Sequence, residues 1–332
     1  PTAFVHPESL HGIIVATSAL WTSGLKLYNA EGDRFLARQN PELAENLPRD
    51  MLSRSIFLEI TRGKGTPHHG VWLDTSDIAN WEEIRKDRPR SYIWPERFGV
   101  SDRRFEVAPT YHFTLGGIRI TAKCETNITG LYAAGEVVGG LHGANRLAGN
   151  ALAECLVFGE IAGKEAANFR REKTGEISDS IVREEETKPR LLFNPESTKG
   201  KTHSSVLIRR LRETMYQYVG VVRNKDGLET ARKEIKDIRQ QAETDLKIVP
   251  GSIFNYDQIH AFELFNMLKL GAAVVKSALL REESRGAHYR TDYPETNHKQ
   301  WLKNIITRRV AGELQMRTEE VKTPYIGAPD ET

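Results

Sequence analysis

Between residues 130 and 169 three patterns follow one another without a break, and together they limit what this chain can become. GLYAA (130–134) reads as a short buried strand, GEVVGGLHGANRLAGN (135–150) as a glycine-rich loop, and the apolar spacing from about Asn150 to Phe169 predicts a helix. Leu152, Leu156, Gly159, Ala162, Gly163 and Ala166 form the helix's apolar face, with small residues that allow close approach. A helix that starts after such a loop presents unpaired backbone N–H groups and the positive end of its dipole. That end suits a phosphate, a carboxylate or another electron-rich group. Glycines at 139, 140, 143 and 149 let a ligand come close to the backbone, and Arg146 inside the loop can clamp a carboxylate with two parallel hydrogen bonds. Strand–glycine–helix junctions also occur without a ligand, so the loop alone leaves a purely structural role open. Neither GxGxxG nor a P-loop occurs in the sequence, which disfavours a complete dinucleotide-binding fold within it.

The flanking stretches carry weaker patterns. KLYNAEGDRFL (26–36) reads as strand, turn and strand, with Glu31-Gly32 at the turn. Pro48-Arg49-Asp50 opens a helix whose apolar stripe is Leu52, Ile56, Phe57 and Ile60, ended by Gly63 and Gly65. Residues 170–200 are charged and patternless, as in a linker. Three helices are then predicted at about Ser204–Arg223, Leu228–Leu246 and Gln258–Glu283, and their short connections imply an antiparallel bundle. The third places Phe262, Phe265, Leu268, Ala272, Val275 and Leu279 on one face. The remainder, 285–332, reads as an irregular polar tail.

Composition narrows the class. The 332 residues suffice for two or three units, and 39% hydrophobic with 28% charged residues is the balance of an ordinary globular protein. A net charge of +2 calls for no nucleic-acid partner and leaves small anions open. Cys124 and Cys155 offer no metal-ligand spacing, so no metal is expected, and a reducing compartment is the expected setting. No apolar run is long enough to span a bilayer. The expected location is cytoplasmic, with membrane association only through partner subunits. The chain opens on Pro1 and reads as cut from something longer, so the lack of a signal peptide carries little information.

The segment GLYAAGEVVGGLHGANRLAGNALAECLVFGEIAG (130–163) resembles the second flavin-contacting segment of the fumarate reductase / succinate dehydrogenase / L-aspartate oxidase superfamily. Other landmarks occur in the family's order: FVHP (4–7) resembles its FHP segment, LPRDMLSR (47–54) its PRD helix start, PTYHFTLGGI (109–118) its HYxxGG segment, and REESRGAHYRTDYPE (281–295) its signature after the helical domain. The resemblance covers nearly the whole chain. It implies a mixed α+β and α/β fold: a capping domain over 1–107 with a remnant of the FAD domain at its start, the C-terminal segment of a Rossmann-like FAD-binding domain over 108–169, a linker over 170–200, an all-α three-helix domain over 201–284, and a tail over 285–332. It implies FAD as cofactor. The family's N-terminal half, with its GxGxxG turn, has no counterpart here, so a fragment or split subunit that works with that missing half is expected.

The implied reaction moves a hydride to or from one carbon of a small carboxylate, such as fumarate or succinate, and a proton at the neighbouring carbon. By resemblance Arg49 is the proton donor in reduction. An arginine with a pKa above about 12 makes sense only opposite a strongly basic centre. Arg146 and His112 are the implied carboxylate clamps, with His6 assisting, and Thr17 resembles a substrate-contacting threonine. Glu136 is the implied FAD contact, and Asn150, Ala151 and Leu152 the implied contacts at the edge of the flavin ring. His142 is left to orient substrate or backbone. Each has a bland counterpart: a helix-start arginine, a turn histidine, a capping or ion-paired glutamate. His68-His69 reads as a surface turn.

One stretch departs from the family. After Thr17 most members carry an acid and then Arg-Gly-Glu-Gly, whereas this chain has Ser18 and, where an arginine is usual, Trp21. A modified or bulkier acid is therefore compatible with the site. In related complexes an iron–sulfur electron-transfer subunit docks beside the helical domain, and such a partner is expected here. L-aspartate oxidase and a non-catalytic truncated protein are the competing readings.

Overall fold

The computed structural model describes residues 2–15, 24–78, 103–147, 149–169, 178–183, 200–249 and 254–323. The chain divides into two units, Pro1–Ala166 and Ala167–Thr332.

The first unit is built on a four-stranded antiparallel sheet of β1 (Thr2–His6), β2 (Lys26–Tyr28), β3 (Val71–Asp74) and β4 (Arg104–Pro109), in the order β1-β4-β3-β2. Side chains alternate along β3, so Val71 and Leu73 are sealed while Trp72 and Asp74 are partly exposed. Phe4, Leu27, Val71, Leu73, Phe105 and Val107 share one core with Phe35 and Leu36 of α1 (Phe35–Gln39) and Leu52 and Ile56 of α2 (Arg49–Glu59). The α2 stripe falls where its spacing predicts. Gly63, at φ 78°, closes the turn that follows the helix.

The strand–turn–strand expected at 26–36 is half correct. Asn29, fully buried, accepts from the N–H groups of Glu31 and Asp33, both at 3.0 Å, and closes the turn on itself. The chain leaves that turn as α1, and β2 pairs with β3 instead. Adjacent Phe35 and Leu36 are both sealed, which a helix face allows and an alternating strand does not. Residues 130–134 also differ from the expected buried strand. Tyr132 makes an isolated bridge to Glu125, and Leu131 is 48% exposed, because the segment's pairing runs along one side only, to residues 124–126. Helix α3 (Asn150–Asn168) forms as predicted, but its apolar face is not covered: Leu152 and Leu156 are 77% and 76% exposed, and the buried member of the helix is Glu154.

The second unit is helical. Helices α4 (Ser204–Val219), α5 (Lys225–Asp245) and α6 (Tyr256–Leu280) all pack on one another around Leu207, Leu211, Leu228, Ile235, Ile238, Leu264, Leu268 and Val275. A short parallel pair, β5 (Thr202–His203) and β6 (Leu246–Lys247), ties their ends. Helices α5 and α6 start earlier than their apolar spacing predicts because Asn224 and Asn255 cap them, accepting from the N–H groups of Gly227 and Gln258. The buried stripe of α6 is Ala261, Leu264, Leu268, Gly271, Val275 and Ala278, rotated from the predicted one. Gly271 lies in that stripe, with Ile235 and Met215 packed within about 3.5 Å of where a Cβ would stand.

The tail is not irregular. Strands β7 (Lys303–Val310) and β8 (Glu313–Glu320) form a hairpin in full register, after a single turn of helix α7 (His298–Trp301). Its two-residue turn, Ala311-Gly312, has φ 49° and 83°, the all-positive geometry that matches strand twist. Charged residues on the strands masked the β-branched run Ile305-Ile306-Thr307. Among the described residues no helix is long and apolar enough to cross a membrane.

Candidate functional site

Three segments far apart in sequence meet in the first unit: the start of α2, the stretch 111–118, and the loop 135–149. Pro48 precedes the first helical residue with φ −49° and accepts the first α-helical hydrogen bond, from the N–H of Leu52. Arg49 therefore begins the helix. It is half-buried, and burial lowers its pKa below the ordinary arginine value.

The stretch 111–118 is locked to the loop by backbone contact. The N–H of Ile118 donates to the carbonyl of Val137 at 2.8 Å, and that of Gly139 to the carbonyl of Ile118 at 3.1 Å. The approach leaves no room for side chains at the crossing: a Cβ on Gly117 would lie 2.3 Å from the Val137 oxygen, and one on Gly139 would lie 2.6 Å from the Gly117 nitrogen. His112 and Phe113 are thereby set beside Arg146. The Arg146 guanidinium lies 4.7 Å over the Phe113 ring, donates to the carbonyl of Leu147, and keeps a buried Nε with no hydrogen-bond partner. The edge of Phe113 also meets His142, whose Nε2 is 2.7 Å from Glu154.

His112 feels burial and the charges around it. Its pKa is lowered by desolvation first and then by the charge of Arg146, with a smaller contribution from Arg49, while Glu136 acts in the opposite direction. Burial and these positive charges therefore favour the neutral imidazole. The Arg146–Phe113 contact and the neighbouring Asn145–Asp50 bond bring together the segments that carry Arg49, His112 and Arg146, although no pairwise pattern in the sequence announces it. The second of these joins the segments of Arg49 and Arg146: the Asn145 side-chain amide donates to the Asp50 carboxylate at 3.0 Å.

The other sequence-derived candidates are placed as follows. Glu136 is exposed and accepts from the N–H of Thr114 at 2.8 Å and the hydroxyl of Tyr111 at 3.2 Å. Asn150, Ala151 and Leu152 form the first turn of α3 behind Gly149, which has φ 86°. His6 stands with a different group. Its ring stacks on His68 at 4.1 Å and 8°, and His68 donates its backbone N–H and presents Nδ1 to Glu106, which is 2% exposed. Burial opposes the charge on Glu106, but the Thr66 hydroxyl and His68 outweigh it and hold that carboxyl below its ordinary pKa. His68 is therefore more than a turn residue. Thr17, and with it Ser18 and Trp21, lies outside the described residues. Among the described residues no group of three His, Cys, Asp or Glu side chains is placed to hold a metal.

Comparison with known proteins bears on the fold and the family. Residues 1–152 match the family described as FAD binding domain, and residues 208–331 match Fumarate reductase flavoprotein C-term. The chain is 39% identical to one of the subunits of the fumarate reductase (CoM/CoB) of Methanothermobacter marburgensis, over 93% of its own length and 55% of the relative's. It is 33% identical to an L-aspartate oxidase of Acinetobacter baylyi, over 92% and 53%. A solved quinol-fumarate reductase with menaquinol molecules superposes with a TM-score of 0.87 at 25% identity, over 99% of this chain and 60% of that one. The fold and matches place the chain among the FAD-binding flavoproteins. The chain belongs to the fumarate reductase / succinate dehydrogenase flavoprotein superfamily. It spans about half the length of the curated relatives it matches.

FAD is the cofactor of this family, and the residues here fit one edge of it. Gly143 and Gly149 have positive φ, and among the described residues no atom lies within 4 Å of where a Cβ would stand at either. The loop backbone and the first turn of α3 thus face open space. Glu136 spends one oxygen on Tyr111 and Thr114 and keeps acceptor capacity for a hydroxyl.

Proposed function

We propose that this chain supplies the substrate-capping part, the second ring-contacting segment and the helical part of an FAD-dependent oxidoreductase that reduces or forms a carbon–carbon double bond in a small carboxylate such as fumarate or succinate. The observation that carries the reading is the meeting of the segments that bear Arg49, His112 and Arg146, through the Arg146–Phe113 contact and the Asn145–Asp50 bond, which would let three groups grip one carboxylate. A neutral His112 donates one N–H without adding charge. Arg146, braced on Phe113 and with an unpaired buried Nε, is prepared for a carboxylate oxygen. Arg49 is the group assigned to carry the proton at carbon, and the burial that lowers its pKa brings it closer to a useful acid. His6 and Thr17 assist substrate binding in this scheme.

When bound, FAD supplies or accepts the hydride. Glu136 would hold its ribose side, and Asn150, Ala151 and Leu152 would border the ring, where the positive end of α3 favours negative charge. Residues 1–107 act as the cap and 108–169 as the C-terminal part of the FAD domain. The uncovered leucines of α3 support docking of an N-terminal flavin-binding half, and an iron–sulfur subunit is the proposed electron partner of the helical part. Any membrane association would run through such partners.

The test uses the flavoprotein that contains this chain together with its flavin-binding half. It is expected to reduce fumarate with a chemically reduced viologen dye. Arg49→Lys should retain the flavin spectrum and lower turnover by about a hundredfold or more. Survival within about tenfold removes the proton role from Arg49. The 33% identity to an L-aspartate oxidase favours a second reading, which oxidation of L-aspartate without fumarate reduction would support. Failure to bind flavin with both halves present would leave a non-catalytic protein.

A further inference from the structure

Arg49 and Arg146 sit on separate stretches of chain, yet in the reading above both touch one small substrate. Two cationic groups that share a substrate must be held to within about half an ångström of their productive separation. Neither side chain does this for the other, since like charges repel. What spans the gap is a hydrogen bond between their immediate neighbours: Asn145 Nδ2 donates to Asp50 Oδ1 at 3.0 Å. Asp50 follows Arg49 in the first turn of α2, and Asn145 precedes Arg146 in the loop.

We propose that Asn145 and Asp50 are a positioning pair that fixes the separation of Arg49 and Arg146 on a bound carboxylate. The inference rests on the substrate roles given to those arginines under the proposed function. An amide donating to a carboxylate is a charge-assisted bond, stronger and shorter than one between neutral groups. Its position one residue from each arginine fixes the backbone points from which the two side chains reach, because the backbone between neighbours has only two soft torsions per residue. Asp50 has other work, being favourable to the helix dipole and 3.7 Å from Arg54. Asn145 is exposed and its side chain makes this bond, so Asn145→Ala is the cleaner lesion.

The experiment is steady-state fumarate reduction by reduced viologen in the complete FAD-loaded flavoprotein, with flavin content and melting temperature measured on each variant. Asn145→Ala is expected to lower kcat between about tenfold and a hundredfold, with flavin content and Tm unchanged. Asn145→Ala combined with Asp50→Asn should be no slower than the slower single variant, since both remove one bond. The exchange Asn145→Asp with Asp50→Asn rebuilds an amide–carboxylate bond in reverse and should restore kcat to within about threefold. Native kcat in Asn145→Ala, or losses that multiply in the double variant, overturn the pair. Native turnover after Arg146→Ala overturns the reading of the site itself, and the pair with it.

Discussion

His142 Nε2 lies 2.7 Å from Glu154 Oε2, and the two side chains are only 11% and 3% exposed. The contact fastens the glycine-rich loop to the body of α3. Glu154→Leu removes the acceptor and leaves a sealed imidazole N–H unpaired, which should cost about 1–3 kcal/mol. Glu154→Gln keeps an acceptor oxygen and should cost less. Urea unfolding of both variants checks this, and an unchanged midpoint for Glu154→Leu would show that the bond is not made.

Arg290 should dominate the stability of the segment after α6. It is 1% exposed, donates to the carbonyls of Ala278, Leu279 and Arg281, and forks onto both oxygens of Asp292. It thus caps the end of a 25-residue helix and neutralises an acid in one move. Arg290→Met strands both sets of acceptors and should cost about 3–5 kcal/mol. Arg290→Lys cannot fork and should fall between. Faster hydrogen exchange at the end of α6 is the local signature to seek.

Acid should weaken the helical unit before its carboxylates titrate. Arg223 Nη1 is 2.7 Å from His288 Nδ1 and can only donate, so the imidazole accepts there and carries its proton on a buried Nε2. Burial, then the charges of Arg223, Arg281 and Arg290, push the His288 pKa from 6.5 down to about 3. Above pH 6.5 neither state binds the proton. Between 6.5 and about 3 the unfolded chain binds it and the folded chain does not, so stability falls as pH drops, by up to about 1.4 kcal/mol per unit. Glu283, whose pKa is also depressed, adds its loss only below its ordinary 4.5. Unfolding free energies at pH 7 and pH 5 should therefore differ less in His288→Gln than in the native chain. An equal difference rules this histidine out.

The face of α3 invites a substitution that the chain itself will not notice. Leu156 is 76% exposed, so Leu156→Lys should change the stability of this chain by no more than about 0.5 kcal/mol. In the assembled flavoprotein the same lysine would sit in a contact between halves, and flavin content should fall. Full flavin content would mean that this face is not where the halves meet.

Much of this architecture is legible from spacing, because helices of ten or more residues repeat their apolar positions often enough to be read. The starts of α5 and α6 were harder, since asparagine caps lie outside the stripe. The β7–β8 hairpin hides behind charged residues, and the second limb of 26–36 is decided by the Asn29 turn. The site is a different matter. Arg146 stands out by its place in the glycine-rich loop, Arg49 and His112 only through the family's motifs, and nothing in their spacing says that their segments meet. His6 carries a motif as well, yet it stacks on His68. The bonds that organise the site join single polar residues, Asn145 to Asp50 across 95 positions and His142 to Glu154 across 12, and leave no periodic trace.

The crossing at Gly117 and Gly139 has a consequence for variation. Each glycine is required because the other's strand is already there, so relief at one position gives no freedom at the other. Drift to alanine at either site would pry apart the two ribbons that carry His112 and Arg146. Gly116, one residue away, meets nothing within 4 Å and has no need of a positive φ, so it should accept a methyl group without penalty. A saturation library would then show tolerance changing abruptly between two adjacent glycines, a boundary drawn by backbone contact alone.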